Sequence, residues 1–202
     1  MELASKSQLR WAFIRAAAVF VLGLFSLAGL STQLGSGGQG AWYASLAKPE
    51  GFPGLGTFVV VWTLGYVLMA FAAAIVWQAK GNRLRAPGLF AWSFTAVLAL
   101  AWMPALFGFK SMGGGLGVSV VLVLAALLTT GLFFKMRPVA GVLMLLPLLW
   151  FAAGAYLSYS IRAMNPGGVP AGTPAEAPPP PPAVDVPMRI PPAGVPGDAN
   201  GQ

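Results

Sequence analysis

The chain has 202 residues, 57% of them hydrophobic and only 8% charged, with a net charge of +7 and a mean hydropathy of +0.74, whereas a soluble domain carries about 25% charged residues. That composition is an integral membrane protein's, and the absence of cysteine and histidine excludes disulfides, zinc–thiolate sites, a thiol nucleophile, the usual general base and the common proximal haem ligand. The basic residues stand singly or in short groups at the ends of apolar runs, where lipid headgroups meet them, so no basic stripe exists for nucleic acid.

In chain order, a short basic head leads into an apolar run from Trp11 to about Leu34, long enough to cross a ~30 Å hydrocarbon core. A cleaved signal peptide is the competing reading, and it is disfavoured because the run is long and no A-x-A site follows. The first loop, 35–56, opens with GSGGQG and closes with a stretch that Pro49 and Pro53 stiffen. Four further apolar runs follow at about 57–78, 88–108, 113–134 and 138–161, giving five spans joined, after the first loop, by short connections between antiparallel neighbours. The expected fold is an all-α, five-transmembrane-helix bundle over 1–164 with a long first loop. Pro87 and Pro138 suit first-turn positions, while Pro104 and Pro147 lie inside spans and predict kinks.

Residues 165–202 hold twelve of the 18 prolines, including Pro178 to Pro182 without a break. They predict an extended, disordered tail that acts as a spacer or, alternatively, engages a proline-recognising partner. Lysine and arginine favour a cytoplasmic N-terminus in an inner membrane, with Lys6, Arg10, Lys80, Arg83, Arg85, Lys135 and Arg137 on one side and Lys48, Lys110, Arg162 and Arg189 on the other. An outer-membrane placement is the alternative.

Catalytic equipment is sparse. Glu50 is the only acid between Ala16 and Ile161, and no ionisable residue lies centrally in a span. An ion-coupled carrier and a paired-carboxylate hydrolase are therefore disfavoured. Aromatics remain in quantity. Trp62, Tyr66 and Met69 fall at i, i+4 and i+7 beneath the loop that carries Trp42 and Tyr43. Thr95, Ala99, Trp102 and Leu106 share a face of the third span, and Trp150, Gly154 and Leu157 share one in the fifth. Such stripes serve helix packing or line a pocket for a planar apolar molecule, and both readings stay open. Gly113 and Gly117 form a G-x-x-x-G that suits a homodimer, and Leu157, Tyr159 and Arg162 fit the loose pattern proposed for sterol contact.

Trp42-Tyr43 with Leu46, Lys48-Pro49 and Pro53, then Val61-Trp62-Thr63 with Tyr66, then Trp102, Pro104 and Phe107-Gly108, then Trp150 with Tyr159 together resemble the TspO/MBR family of tryptophan-rich sensory or translocator proteins. The likeness covers roughly residues 11–164 in order and spacing. It implies a five-helix bundle, often a homodimer, that binds porphyrins and other flat apolar ligands, in some members sterols, under the first loop. It further implies a role in tetrapyrrole transport or regulation or, as in some bacterial members, light-dependent porphyrin breakdown. Two alternatives stand beside it: light- and oxygen-dependent porphyrin oxidation with Trp42 or Trp150 as electron or radical partners, and a ligand-responsive scaffold whose tail engages a partner.

Carried over by position, the resemblance gives Trp42, Trp62, Tyr66, Trp102 and Trp150 as pocket residues, with Gly154 and Leu157 on the same wall. The resemblance also marks Tyr159 and Arg162 as the sterol-like end, and beside it Lys48 or a neighbouring cation is the expected partner for ligand carboxylates. No obligatory cofactor or metal is expected, and a protoporphyrin-type tetrapyrrole is the expected ligand. The sequence departs from the family's usual loop, K-P-S-W-x-P-P-x-W, at Glu50, Gly51, Gly54 and Gly56. It also departs at Ala99 and Ser158, where asparagine is usual. A looser loop and a less polar pocket follow.

Overall fold

Inside hydrocarbon a backbone must satisfy its own polar groups, and so each apolar run coils into a helix. The computed structural model describes residues 5–35, 41–50 and 55–166. Its long helices are α1 (Lys6–Gly35), α3 (Leu55–Trp77), α4 (Arg85–Met103), α5 (Met112–Met136) and α6 (Pro138–Met164), with a short α2 (Ala41–Ser45) between the first two. Among the described residues five helices are long and apolar enough to cross a membrane, and no strand occurs. The chain is a multi-pass, all-α integral membrane protein. The expected extended tail beyond Pro166, the glycine-rich stretch after Gly35, and Gly51, Pro53 and Gly54 lie outside the described residues.

Around the bundle the helices run α1, α3, α6, α5, α4 and back to α1, with α3 also touching α4 and α5. The α3 stretch from Met69 to Val76 is the most enclosed, with Met69, Ala70, Ala72, Ala73, Ala74 and Val76 fully buried. Its alanines let neighbouring helices approach closely, which matters where lipid supplies no hydrophobic drive for helix association. Phe133 of α5 and Met144 of α6 fill the same core, whereas α1 turns Val19, Leu22 and Leu30 outward toward lipid.

Buried polar side chains tie these helices together. Trp92 Nε1 donates to the Met69 carbonyl at 3.0 Å, fixing α4 to α3. The Thr95 and Thr129 hydroxyls meet at 2.9 Å between α4 and α5, and each also lies within bonding reach of its own helix carbonyl four residues back. Bonds of this type contribute about 0.6–2 kcal/mol within a membrane.

Pro104 shapes the end of α4. Having no amide hydrogen, it cannot close the ordinary helical bond onto the Leu100 carbonyl. Ser31 Oγ of α1 donates to that carbonyl instead. The chain continues as a π-helical segment, Pro104–Gly108, with Phe109 N–H donating to the Pro104 carbonyl at 3.0 Å and Ser111 N–H to the Leu106 carbonyl at 3.1 Å. The end of α1 lies backbone to backbone on this segment: a Cβ on Gly108 would come 2.9 Å from the Leu34 carbonyl oxygen, and one on Gly35 would come 3.1 Å from that of Met103. The wider turn carries Leu106 and Phe107 into the protein interior. Pro147, the other proline inside a span, is fully buried within an unbroken α6.

Candidate ligand-binding site

At the end of the bundle where α1 finishes and α3 begins, indole and phenyl rings converge. Trp62 of α3 stacks on Trp102 of α4 with ring centroids 5.9 Å apart and planes at 28°. Tyr66 lies 5.4 Å from Trp62, one helical turn along, and Phe151 of α6 lies 5.8 Å from the same indole. Phe58 sits where three indoles meet, with its ring 5.8 Å from Trp62, 5.9 Å from Trp102 and 5.9 Å from Trp150. Offset and edge contacts of this kind suit rings whose faces are negative and edges positive.

The outer side of the cluster is closed by α2 and the residues after it. Phe107, delivered by the π-helical segment, meets Trp102 edge-on at 5.8 Å and Tyr43 at 5.0 Å. Trp42 and Tyr43 pack both on this group and on a second apolar group of Leu46, Met112 and Ile161. Burial at this position pushes the Tyr43 phenol up to about 12.

Among the described residues one buried polar side-chain atom has no partner: Trp62 Nε1 meets no hydrogen-bond acceptor among them. A buried donor left without a partner costs about 1–3 kcal/mol. It fits a ligand that brings an oxygen or an unprotonated nitrogen to a flat apolar body.

The sequence-derived residues fare unevenly. Trp42, Trp62, Tyr66, Trp102 and Trp150 do come together at one end of the bundle, turned inward. Trp62 lies against Tyr66 and Trp102, and Phe58 against Trp62, Trp102 and Trp150, so the protein's own aromatics occupy the space between these indoles. Two surface hollows lie elsewhere, one of about 520 Å³ beside Leu9, Arg10, Phe13, Ile14 and Gln78, and one of about 240 Å³ between α4 and α5. Gly154 does leave open space, since a Cβ there would meet nothing within 4 Å, and Leu157 is half-buried beyond it.

Lys48 is engaged differently from the expectation. Its ammonium donates to the carbonyls of Tyr43 at 2.7 Å and Leu46 at 3.1 Å and lies over the Tyr43 ring, so it closes the end of α2. The sterol-like trio is not brought together. Tyr159 is 61% exposed on the lipid side, as residues two apart on a helix diverge by about 200°. Arg162 instead lies along α5, with its Nη1 2.7 Å from where a Gly113 Cβ would be. That contact occupies one end of the G-x-x-x-G, while Gly117 faces open space.

Phe58, Phe107 and Phe151 are site residues that sequence reasoning missed. Phe58 carried a usable signal, because it stands four residues before Trp62 and extends the 62, 66, 69 stripe by one turn.

Comparison with known proteins places these features in company. A profile of the TspO/MBR family matches residues 8–164. Protein CrtK of Rhodobacter capsulatus is 34% identical over 132 residues, which cover 65% of this chain and 82% of that protein. The human translocator protein is 32% identical over 128 residues, covering 62% and 76%, and the tryptophan-rich protein TspO of Chlorobaculum tepidum is 30% identical over 129 residues, covering 62% and 80%.

Proposed function

The chain belongs to the TspO/MBR family, and on that premise we propose that it binds a porphyrin-type tetrapyrrole among the rings of Trp62, Trp102, Trp150 and Phe58 and acts in the transport or regulation of such pigments. The observation that carries this reading is the orphaned Trp62 Nε1 inside a stacked aromatic cluster. A macrocycle offers an extended π-face to the indoles, at about 0.5–1.5 kcal/mol per ring contact beyond burial. Its peripheral carboxylate or a ring nitrogen offers the acceptor that Trp62 lacks. A long-chain lipid would supply the acceptor without the flat face.

Entry requires the rings to part. Trp62 and Trp102 stack directly on one another, with ring centroids 5.9 Å apart, so a macrocycle entering between them must widen the gap between their planes by about one ring thickness, about 3.5 Å. That separation, together with rotation of Phe58, admits the ligand. No step calls on an ionisable side chain, in keeping with spans that have none at their centres. The N-terminus faces the cytoplasm of an inner membrane in this reading, which puts α2 and the ring cluster near the opposite surface. A homodimer is part of the same proposal, with α5 around Gly117 offering its open face.

Titration of the purified protein with protoporphyrin, followed by tryptophan quenching and the shift of the porphyrin absorption band, tests the site. Trp62→Phe keeps an aromatic ring and removes the N–H. It should weaken binding by about tenfold, the worth of one hydrogen bond to a charged acceptor, while thermal stability stays level or rises because an unpaired buried donor is gone. Equal affinity in the two proteins removes this site from the ligand's path.

A further inference from the structure

One residue past α6, Asn165 is fully buried, an expensive place for a primary amide unless its donors and acceptor are met. They are met largely by one loop residue. Asn165 Oδ1 accepts from the Ala47 N–H at 3.0 Å, and its Nδ2 donates to the Ala47 carbonyl at 2.9 Å and to the Ile161 carbonyl at 2.7 Å. The side chain pairs with both backbone groups of Ala47 as a neighbouring strand would, although residues 47–49 belong to no regular element. The residues on either side are held by the same grip: Leu46 seats on Met112 and Ile161, and Lys48 closes onto the carbonyls of Tyr43 and Leu46.

We propose that Asn165 is a positioning residue that latches the 41–48 segment over the aromatic cluster and so sets how fast a ligand enters and leaves. This rests on the ligand-binding reading given above. The two hydrogen bonds to Ala47 converge on one side chain, so they are lost together when the segment lifts, while the bond to Ile161 stays within the end of α6 and keeps the amide aimed at the loop. Lifting also withdraws Leu46 from its seat and Tyr43 from Phe107. The latch therefore has two arrangements, shut and open, with little stability in between. Because Asn165 follows directly on α6, movement at the end of that helix is transmitted to the segment that covers the site.

The chain's lack of cysteine allows a test that needs no ligand. Met112→Cys places a thiol beneath Leu46, and its reaction with a water-soluble maleimide reports opening of the segment. Adding Asn165→Ala, or the isosteric Asn165→Asp, which keeps the shape and loses both donated bonds, should raise the labelling rate about tenfold or more, the effect of losing at least one to two net hydrogen bonds. An unchanged rate in both variants overturns the latch. Where protoporphyrin binds the unaltered protein, both variants should speed its association and its release by similar factors, with Kd moving less than either rate. Unchanged association and release rates, or a change in only one of them that moves Kd by the same factor, overturn the gating role. A wild-type protein that binds no protoporphyrin refutes the ligand reading while the thiol measurement still decides the latch. Should neither variant fold, hydrogen exchange at the Ala47 amide of the unaltered protein decides it: slow exchange supports the latch, and exchange at the rate of a free amide refutes it.

Discussion

Replacing Phe58 by alanine tests whether three indoles are organised around a single phenyl ring. Its ring makes three aromatic contacts at 5.8–5.9 Å, which at about 0.5–1.5 kcal/mol each come to about 1.5–4.5 kcal/mol. Counted instead as a void of about 100 Å³ at about 24 cal/mol per Å³, the loss is about 2.4 kcal/mol. The two routes agree on about 2–4 kcal/mol, which for a chain of this size lowers the thermal midpoint by roughly 5–15 °C. The void is walled by indoles and stays dry. Indole or a similar small aromatic added to Phe58→Ala should therefore restore part of the lost midpoint by binding only the folded form, and should do nothing for the unaltered protein. Differential scanning in detergent reads both effects. A midpoint within about 1 °C of the unaltered protein and no response to indole would refute the arrangement of rings around Phe58.

Three other outcomes follow from the fold. Ser31→Ala should cost about 1 kcal/mol because it strands the Leu100 carbonyl that Pro104 cannot serve, and in a Pro104→Ala background, where residue 104 regains its N–H, the same change should cost clearly less; purely additive effects in a double-mutant cycle would refute the link. Gly108→Ala drives a Cβ to 2.9 Å from backbone at Leu34, whereas Gly88→Ala meets only the flexible methyl end of Met136, so the first should lower the melting midpoint by several degrees and the second should be tolerated. Tyr43, with its phenol pushed up to about 12 by burial, contributes stability that is complete below pH 10 and declines as pH rises toward 12; the difference in tyrosinate absorbance between the unaltered protein and Tyr43→Phe should show a midpoint near 12, and one near 10 would mean that the phenol is open to water.

Much of the site was legible before the fold was known, and the reason is spacing. Trp62, Tyr66 and Met69 repeat at helical intervals, and the structure places that stripe inward against the bundle. The face of Thr95, Ala99, Trp102 and Leu106 is likewise the buried face of α4 and its π-helical extension. Other indoles carry no such discrimination. Trp92 is as buried as Trp102, yet it serves α3 through the Met69 carbonyl, and Trp77 pairs with Arg85 at the other end of α3. Nothing local separates these roles, because a helix in lipid is apolar on both faces and lacks the polar stripe that marks the outward side of a soluble helix. Lys48 shows a related limit: a lone cation in a loop reads as available, and only the folded turn shows that its ammonium reaches two backbone carbonyls.

Composition and hydropathy by themselves determined that this chain crosses a membrane five times as helices, since a backbone in hydrocarbon has no alternative that satisfies its hydrogen bonds. The tertiary structure decided which aromatics meet, that Phe58 fills the space between three indoles, that Ser31 serves a carbonyl left by Pro104, and that Asn165 holds the loop at Ala47. Those contacts join residues as many as 118 positions apart. Their energies depend on distance and direction between side chains, which helical periodicity fixes within one helix and leaves free between helices.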